Sequence, residues 1–327
     1  MTTQKKVIYY NMPGELHYEH ELLKQWGIED LELVQVFGND LIEDVKDADS
    51  LTLEYITVDS NVLQSLPNLK IIALQYIGTD DIDIDSADQE GIYVTNAPGF
   101  CAHEVATHVM ALILNLNRKI NFFSQRVKQG HWDPFEGGEL HRLKGQTCGL
   151  VSLGSIPQAL IPMLQGFGIN VVFLSQSKTT EYADQLGIKK CNSLGELLAV
   201  SDIVSLHSPL TPETQHMMNE DTFSKMKQGA IFINSSRGGL VDEKALIKSL
   251  QSGKVLAAGL DVLEDETNHD SELTQVDNVI VTPHVGFLSE ESLRDSKRMA
   301  LEQIVARLSK GEKPILSVNK NMKSLRN

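Results

Sequence analysis

Short β-branched and apolar runs alternate with amphipathic stretches along most of the chain, and this alternation restricts the fold more than any other feature. The run VIYY precedes LHYEHELLKQW, and LELVQVF, LTLEYITV and LKIIAL are each followed by a more polar stretch. Parallel strands need a long crossover between them, and an α-helix is its usual form. The pattern therefore predicts βαβ units, an α/β fold and a mostly parallel sheet.

A second series of the same kind begins near Gly145. Its strand-like runs are TCGLVSL, INVVFLS, SDIVSLHSP, GAIFINSS, VLAAGLDVL and NVIVTPHVG. Six such runs match the strands of a doubly wound nucleotide-binding sheet. Two series in a chain of 327 residues indicate two domains. We expect a Rossmann-like or flavodoxin-like parallel sheet in each domain, with a cleft between the domains.

Two long helical patterns mark the expected domain boundaries. Apolar residues at helical spacing over residues 101–130 predict one long helix. A second helix is predicted from Ser289, a favourable N-cap, to Gly311, and it offers a return path to the first domain. We therefore expect a substrate-binding domain from residues 1–100 plus 290–327 and a dinucleotide-binding domain from residues 101–289.

The net charge restricts the partners of the chain. There are 44 acidic and 29 basic residues, so the formal charge is −15 at pH 7. This charge argues against a nucleic-acid groove or an anionic membrane surface, because both need clustered cations. Cys101, Cys148 and Cys191 lie far apart and are typical of free thiols in a reducing compartment. We expect a cytoplasmic protein with neither a nucleic-acid nor a membrane partner.

Residues 149–157 lie where a dinucleotide fold carries its glycine-rich phosphate loop. The pattern here is S-x-G-x-x-P, with Ser152 and Pro157 in place of the first and third glycines. Gly154 keeps the glycine that lets the backbone approach a pyrophosphate, and the N–H groups of Ser155 and Ile156 can point at it. An ordinary strand-to-helix turn would have the same pattern, so this loop alone leaves both interpretations open.

The end of the next strand-like run bears on the choice of cofactor. Ser175 lies where an NAD-specific fold places an acidic residue on the ribose. Without that carboxylate, Ser175, Ser177 and Lys178 could donate hydrogen bonds to a 2′-phosphate. A solvated turn fits the same residues. NAD, NADP or both therefore remain open as cofactors.

Six motifs in order carry a family resemblance. They are residues 78–83 (GTDDID), 96–99 (NAPG), 201–214 (SDIVSLHSPLTPET), 234–243 (NSSRGGLVDE), 258–266 (AGLDVLEDE) and 281–286 (VTPHVG). Between about residues 70 and 300 the chain closely resembles the D-isomer-specific 2-hydroxyacid dehydrogenase family. The resemblance implies hydride transfer between NAD(P)H and a small 2-keto acid, such as glyoxylate, hydroxypyruvate or pyruvate, to give a D-2-hydroxy acid.

The same resemblance implies a catalytic set of Arg237, Glu266 and His284. A guanidinium fork can bind the carboxylate and the neighbouring carbonyl of a keto acid. Histidine can protonate the developing alkoxide because it titrates near neutrality, and a carboxylate on its other nitrogen, here assigned to Glu266, favours the imidazolium. Taken alone, Arg237 also fits a surface ion pair, Glu266 an exposed acid, and His284 a histidine in a loop. No metal is required by this chemistry.

The remaining site residues also follow from the resemblance. The backbone of Ile77, Gly78 and Thr79 is expected to hold the substrate carboxylate together with Arg237 and His284, and Asp261 is expected to orient the nicotinamide. The cofactor contacts assigned in this way are Gly154, Ser155, Ile156, Ser175, His207, Ser208, Pro209, Thr214, Ser236 and Asp261. The resemblance further implies a homodimer packed through the cofactor domain and the helix near residues 101–130.

The sequence also suggests two interpretations other than a dehydrogenase. A nucleotide-sensing binding protein, like the corepressor branch of the same family, is the alternative that the altered residues Ser152 and Pro157 keep open. A zinc-protease helix is excluded, because His103 and His108 are five residues apart and so lie on different helix faces. We therefore expect no metal site.

Overall fold

The computed structural model describes residues 4–267, 270–322 and 324–326. Across these residues the strands are β1 (Lys5–Tyr10), β2 (Leu31–Val36), β3 (Ser50–Thr52), β4 (Ile71–Ala73), β5 (Tyr93–Thr95), β6 (Thr147–Val151), β7 (Asn170–Leu174), β8 (Lys189–Lys190), β9 (Ile203–Leu206), β10 (Ala230–Asn234), β11 (Val255–Leu260) and β12 (Val279–Val281). The helices are α1 (His17–Trp26), α2 (Leu41–Asp44), α3 (Ser60–Ser65), α4 (Ile84–Glu90), α5 (Ala102–Arg118), α6 (Ile120–Lys128), α7 (Ser155–Gly166), α8 (Thr180–Gln185), α9 (Leu194–Val200), α10 (Glu220–Lys225), α11 (Glu243–Gln251) and α12 (Glu290–Leu308). Two short 3₁₀ helices cover Gly238–Leu240 and Glu272–Gln275.

The chain forms two compact units, residues 1–100 with 289–327, and residues 101–288. In the first unit the parallel strands lie in the order β2-β1-β3-β4-β5, which is the flavodoxin-like order. Successive side chains of a strand point to opposite faces. Ile8 and Tyr10 accordingly pack with residues of α3 and α4, whereas Val7 and Tyr9 pack with residues of α1 and α12. Both faces of this sheet are therefore covered by helices.

The second unit holds the larger sheet, and its parallel strands lie in the order β12-β11-β10-β9-β6-β7-β8. Numbered from β6, this is the doubly wound order with one further strand, β12, beyond the sixth. The predicted pair of parallel α/β sheets is confirmed. The strand of this sheet that the sequence did not predict is β8, because two lysines carry no apolar pattern. In the first unit, β5 was also not among the predicted runs. The assignment of substrate to the first unit and dinucleotide to the second stays a prediction.

The helix predicted over residues 101–130 was wrong in one respect. Helix α5 ends at Arg118, and α6 begins at Ile120. Lys119 between them has a φ of 52°, in the left-handed region that a continuous right-handed helix excludes. The side chains of this junction stabilise the break, because Asn115 Oδ1 accepts from the Asn121 N–H at 2.9 Å and Lys119 Nζ donates to the Gly137 carbonyl.

The predicted cap of the last long helix is confirmed. Ser289 precedes α12, and its hydroxyl accepts from the Ser292 N–H at 2.9 Å. Ser292 Oγ in turn accepts from the Ser289 N–H at 3.0 Å, which completes a capping box. The helix ends at Leu308, a turn earlier than Gly311.

The structure also bears on membranes, metals and thiols. No helix of the described residues is both long and apolar enough to span a bilayer. Within the same residues there is no cluster of three or more His, Cys, Asp or Glu side chains that could hold a metal ion. Cys101, Cys148 and Cys191 are buried and free, and burial raises the pKa of the Cys148 thiol to about 12. The cytoplasmic location stays a prediction.

Candidate active site

The predicted site residues of the second unit follow directly after strands of one sheet. Gly154 follows β6, Ser175 follows β7, His207 follows β9, Ser236 and Arg237 follow β10, Asp261 follows β11, and His284 follows β12. Because the strands are parallel, their carboxyl ends lie along one edge, where ligands bind in open α/β sheets. The fold therefore gathers these residues at the expected edge.

The loop that carries Arg237 is fixed by its own polar groups. The buried Asn234 donates from Nδ2 to the Arg237 carbonyl at 2.9 Å and accepts the Ser236 N–H at 3.1 Å. Ser236 Oγ donates to the Leu206 carbonyl at 2.9 Å, and Arg237 Nη1 donates to the Ser236 carbonyl at 2.8 Å. Asn234 thus holds this loop in place. It is the first residue of the motif at 234–243, but nothing in the sequence alone assigned it this role.

His284 and Glu266 are in direct contact. His284 Nδ1 lies 3.1 Å from both carboxylate oxygens of Glu266. The exposed fractions of the two side chains are 31% and 46%, so both reach solvent. They line a cavity of about 890 Å³ in the second unit. The Phe287 ring packs edge-on against the His284 ring, with the ring centres 6.4 Å apart. A carboxylate at one ring nitrogen orients the ring and fixes which nitrogen faces away from it.

Asp261 holds the loop that carries His284. Its carboxylate is buried and accepts from the Val285 N–H at 2.9 Å, the Gly286 N–H at 2.8 Å and Thr282 Oγ1 at 2.5 Å. His284 itself has a φ of 51°, and its N–H donates to the Asp261 carbonyl at 2.9 Å. These bonds fix a backbone conformation that a non-glycine residue adopts only at a cost. The predicted contact of Asp261 with the nicotinamide stays a prediction.

His108, on α5, lies behind Asp261. His108 Nε2 is 3.0 Å from Thr282 Oγ1 and 3.5 Å from Asp261 Oδ1. Sequence reasoning examined His108 only as a metal ligand, because no local pattern links it to residues more than 150 positions away. The structure instead places it in the polar network that supports the His284 loop.

The phosphate loop has an open helix N-terminus. Gly154 is the N-cap of α7, and in this described segment no side chain caps the first turn, which contains Ser155 and Ile156. A Cβ built on Gly154 would meet no atom within 4 Å, so the space beside Gly154 is open. A helix N-terminus of this kind favours an anion. The loop therefore fits the pyrophosphate of a dinucleotide.

Ser152 has a φ of 80°, although left-handed backbone favours glycine. We expect Ser152→Gly to raise the free energy of unfolding by about 0.5–1 kcal/mol, because relief of the strain exceeds the entropic cost of glycine. Urea denaturation measures this change. Ser152→Ala keeps a Cβ and should give no gain, so equal stabilisation by both variants would contradict the explanation.

His207 has unused hydrogen-bonding capacity. Its Nε2 is 3.0 Å from Ser205 Oγ, whereas its buried Nδ1 has no partner among the described residues. Burial lowers the pKa of His207 to about 3, so the ring is neutral at physiological pH. By contrast, Ser208 Oγ donates to the Val151 carbonyl at 3.4 Å, and Thr214 Oγ1 donates to the Pro209 carbonyl at 2.8 Å. Of these residues, His207 is therefore the best candidate to hydrogen-bond a polar group of a bound dinucleotide, through its Nδ1.

Cationic side chains gather after β7. Ser175 Oγ accepts from the Lys178 N–H at 3.3 Å and lies 3.4 Å from Ser177 Oγ. The Lys178 ammonium lies 4.6 Å from the centre of the Tyr182 ring, and Lys190 Nζ donates to the Lys178 carbonyl at 2.6 Å. The expected position of an acidic residue is therefore occupied by the Ser175 hydroxyl, and two lysines follow nearby in the fold.

The expected substrate loop lies in the first unit and follows β4. Ile77, Gly78 and Thr79 are each partly exposed. Asn96 Nδ2 donates to the Ile77 carbonyl at 2.6 Å, and the Thr79 carbonyl accepts from the Ile82 N–H at 3.1 Å. The carbonyls of Ile77 and Thr79 are thus engaged within the unit. The backbone N–H groups remain the candidates for a carboxylate.

The model of the D-isomer specific 2-hydroxyacid dehydrogenase, NAD binding domain, matches residues 110–286, more than half of the chain. The chain belongs to the D-isomer-specific 2-hydroxyacid dehydrogenase family. The resemblance drawn from the six sequence motifs is confirmed, and a nicotinamide cofactor belongs with it.

Individual relatives agree with this family. Glyoxylate reductase of Thermococcus litoralis is 39% identical over 289 residues, which cover 86% of this chain and 87% of that protein. D-lactate dehydrogenase of Aquifex aeolicus, solved with NAD and lactic acid, has a TM-score of 0.85 and 30% identity over 96% of this chain and 99% of its own. An acyclic imino acid reductase solved with NADPH and D-Arg has a TM-score of 0.85 and 27% identity, with coverage of 96% and 99%. These relatives differ in cofactor and substrate.

Proposed function

We propose that this family member reduces a small 2-keto acid to the D-2-hydroxy acid with NAD(P)H. The observation that carries the proposal is the contact of His284 Nδ1 with both oxygens of Glu266, at the sheet edge where Arg237 also lies. This arrangement supplies an oriented proton donor at the edge of the sheet that also carries a guanidinium. Glyoxylate reductase and D-lactate dehydrogenase among the relatives support this reaction class.

The residues divide the work as follows. The N–H groups of Ser155 and Ile156 would hold the pyrophosphate, and His207 would bind a polar group of the cofactor, whose nicotinamide supplies the hydride when bound. Arg237 would bind the substrate carboxylate and polarise the neighbouring carbonyl. In the first unit, the N–H groups of the loop from Ile77 to Thr79 stay the predicted carboxylate-binding groups.

Proton transfer falls to His284. Because Glu266 contacts Nδ1, the nitrogen that gives the proton to the substrate oxygen is Nε2. Glu266 would hold the Nδ1 proton and keep the ring oriented during the transfer. Asp261 keeps the His284 backbone in place through its bonds to Val285 and Gly286.

The test of the reaction is the oxidation of NADH and of NADPH with glyoxylate, hydroxypyruvate, pyruvate and 2-ketoisocaproate, followed by the absorbance of the reduced nicotinamide. Turnover with any of these acids supports the proposal. The nucleotide-sensing alternative is not favoured, since the relatives above are enzymes by name. Tight nucleotide binding without turnover would reverse that preference.

We also propose that NADPH is used at least as well as NADH. The argument rests on Ser175, Ser177 and Lys178, whose donors suit a 2′-phosphate and offer no carboxylate to repel it. Lys190, bound to the Lys178 carbonyl, adds a second positive charge beside them.

Lys178→Ala is expected to raise the KM for NADPH roughly tenfold, because it removes a charged partner of the phosphate, and to leave the KM for NADH nearly unchanged. Steady-state kinetics with each cofactor measure the ratio of the KM for NADPH to the KM for NADH. The matched control is Lys189→Ala, which removes an exposed charge of the neighbouring strand β8. An equal loss with both cofactors would contradict a 2′-phosphate contact.

A homodimer stays a prediction, and exposed apolar side chains support it. Ile120 on α6 is 56% exposed, and Trp132 and Phe135 in the following segment are 87% and 86% exposed. Large apolar groups exposed to this extent are typical of protein interfaces. They lie in and after the helical region from which the dimer was expected.

A further inference from the structure

We infer that Glu243 is a positioning residue that holds the segment carrying Glu266 in place for proton transfer by His284, and that His216 assists it. This inference rests on the proposed reductase function. The segment from Asp261 to Thr267 contains neither a helix nor a strand, and Glu266 within it is exposed. The position of Glu266 therefore depends on contacts made by its neighbours.

Glu243 anchors that segment on both sides of Glu266. It is the first residue of α11, in the motif that also contains Arg237. Its Oε1 accepts from the Glu264 N–H at 2.8 Å, and its Oε2 lies 3.5 Å from the hydroxyl of Ser271. A bond from a backbone N–H to a charged carboxylate is among the stronger hydrogen bonds of a protein. One side chain thus fixes residues that precede and follow Glu266.

The Arg237 and Glu266 segments are also in close backbone contact. A Cβ built on Gly238, the residue after Arg237, would lie 1.8 Å from the Leu263 carbonyl oxygen. Glycine is therefore required at this position, because any side chain would push the two segments apart. The contact transmits the position of the Arg237 loop to the segment that carries Glu266.

His216 joins the same two segments. Its N–H donates to the Gly239 carbonyl at 2.9 Å, and its Nε2 lies 2.7 Å from Glu264 Oε1. Both side chains are about 40% exposed, at 41% and 44%, so solvent screens this pair. Glu243 is consequently the stronger of the two supports, and its removal is the sharper test.

The experiment compares Glu243→Ala with Glu243→Gln in the full chain with its cofactor. Alanine frees the Glu264 N–H, so Glu266 leaves His284 Nδ1 for part of the time, and kcat should fall roughly 10- to 100-fold. The KM for the keto acid should change by less than about twofold, because substrate binding is assigned elsewhere. Glutamine keeps an acceptor oxygen for Glu264 and should restore most of kcat.

The split between kcat and KM separates positioning from a general loss of structure. A displaced Glu266 leaves the His284 ring without its orienting partner, so Glu243→Ala should lose kcat, whereas the KM for the keto acid and the thermal midpoint of unfolding should stay close to the parent values. Glu220→Ala, which removes an exposed carboxylate paired with Lys248 of α11, is the matched control and should behave as the parent.

A measurement without turnover keeps this test apart from that of the reductase. The His284 ring resonance, assigned by its loss in His284→Gln, is compared by NMR at one pH in the parent, Glu243→Ala and Glu243→Gln. A resonance that moves in Glu243→Ala and returns towards its parent position in Glu243→Gln supports the inference even if no keto acid is reduced. An unmoved resonance in Glu243→Ala, or equal kinetics of the alanine variant and the parent, overturns it.

Discussion

His284→Gln is expected to lower kcat for keto-acid reduction by roughly 10²-fold or more. Glutamine can donate a hydrogen bond, but it cannot deliver a proton to the oxygen that receives charge as the carbonyl is reduced. Its side chain also cannot reproduce the contact of an imidazolium with the Glu266 carboxylate. The loss is measured by steady-state kinetics at saturating cofactor, with whichever of the four keto acids is turned over fastest by the parent.

Two comparisons make this result interpretable. His141→Gln changes an exposed histidine of the same unit, 68% exposed at its side chain, and should leave kcat unchanged. Cofactor binding to His284→Gln, followed by nicotinamide fluorescence, should stay close to the parent value, because the loss concerns the chemical step. Near-normal turnover in His284→Gln would mean that another group delivers the proton.

Arg237→Lys is expected to lower kcat/KM by about 10²- to 10³-fold, the scale seen when one donor to a developing oxyanion is removed. The charge is retained, but the planar fork is lost, so lysine cannot bind the carboxylate and the carbonyl oxygen together. Arg237 Nη1 also bonds to the Ser236 carbonyl, and lysine would not keep this geometry. The measurement is kcat/KM with the preferred keto acid.

Arg298→Lys is the matched control, because Arg298 lies on α12 and pairs with Asp295 and Glu302 at the surface. Surface ion pairs contribute little, so that variant should show parent kinetics. A loss smaller than about fivefold in Arg237→Lys would show that a single positive charge suffices and that the fork is not used.

The sequence predicted the architecture because strand and helix periodicities are local. The runs that became β6, β7 and β9 to β12 were all identified, and Ser289 was recognised as a helix cap. The break at Lys119 was missed because lysine favours a helix and no glycine or proline marks the position. The left-handed backbone there is held by side-chain contacts with Asn115 and with the segment at Gly137.

The sequence motifs predicted the catalytic residues, but they did not predict the residues that hold them in position. Glu243, His216 and His108 act through partners that only the folded chain brings near. Glu243 and the Glu264 N–H are 21 residues apart in sequence, and His108 and Thr282 are 174 apart. Periodicity cannot predict such pairs, since the order of the strands in the sheet decides which loops meet.

The first unit is assembled from both ends of the chain, and this affects how the protein can fold during synthesis. Helix α12 supplies Leu301, Ile304 and Leu308 to the core that covers Val7 and Tyr9 of β1. Residues 101–288 form a contiguous unit, so we expect them to fold on the ribosome first, although they are synthesised second. One face of the amino-terminal sheet has only α1 against it until α12 emerges, so we expect the nascent chain to depend most on chaperones before that point.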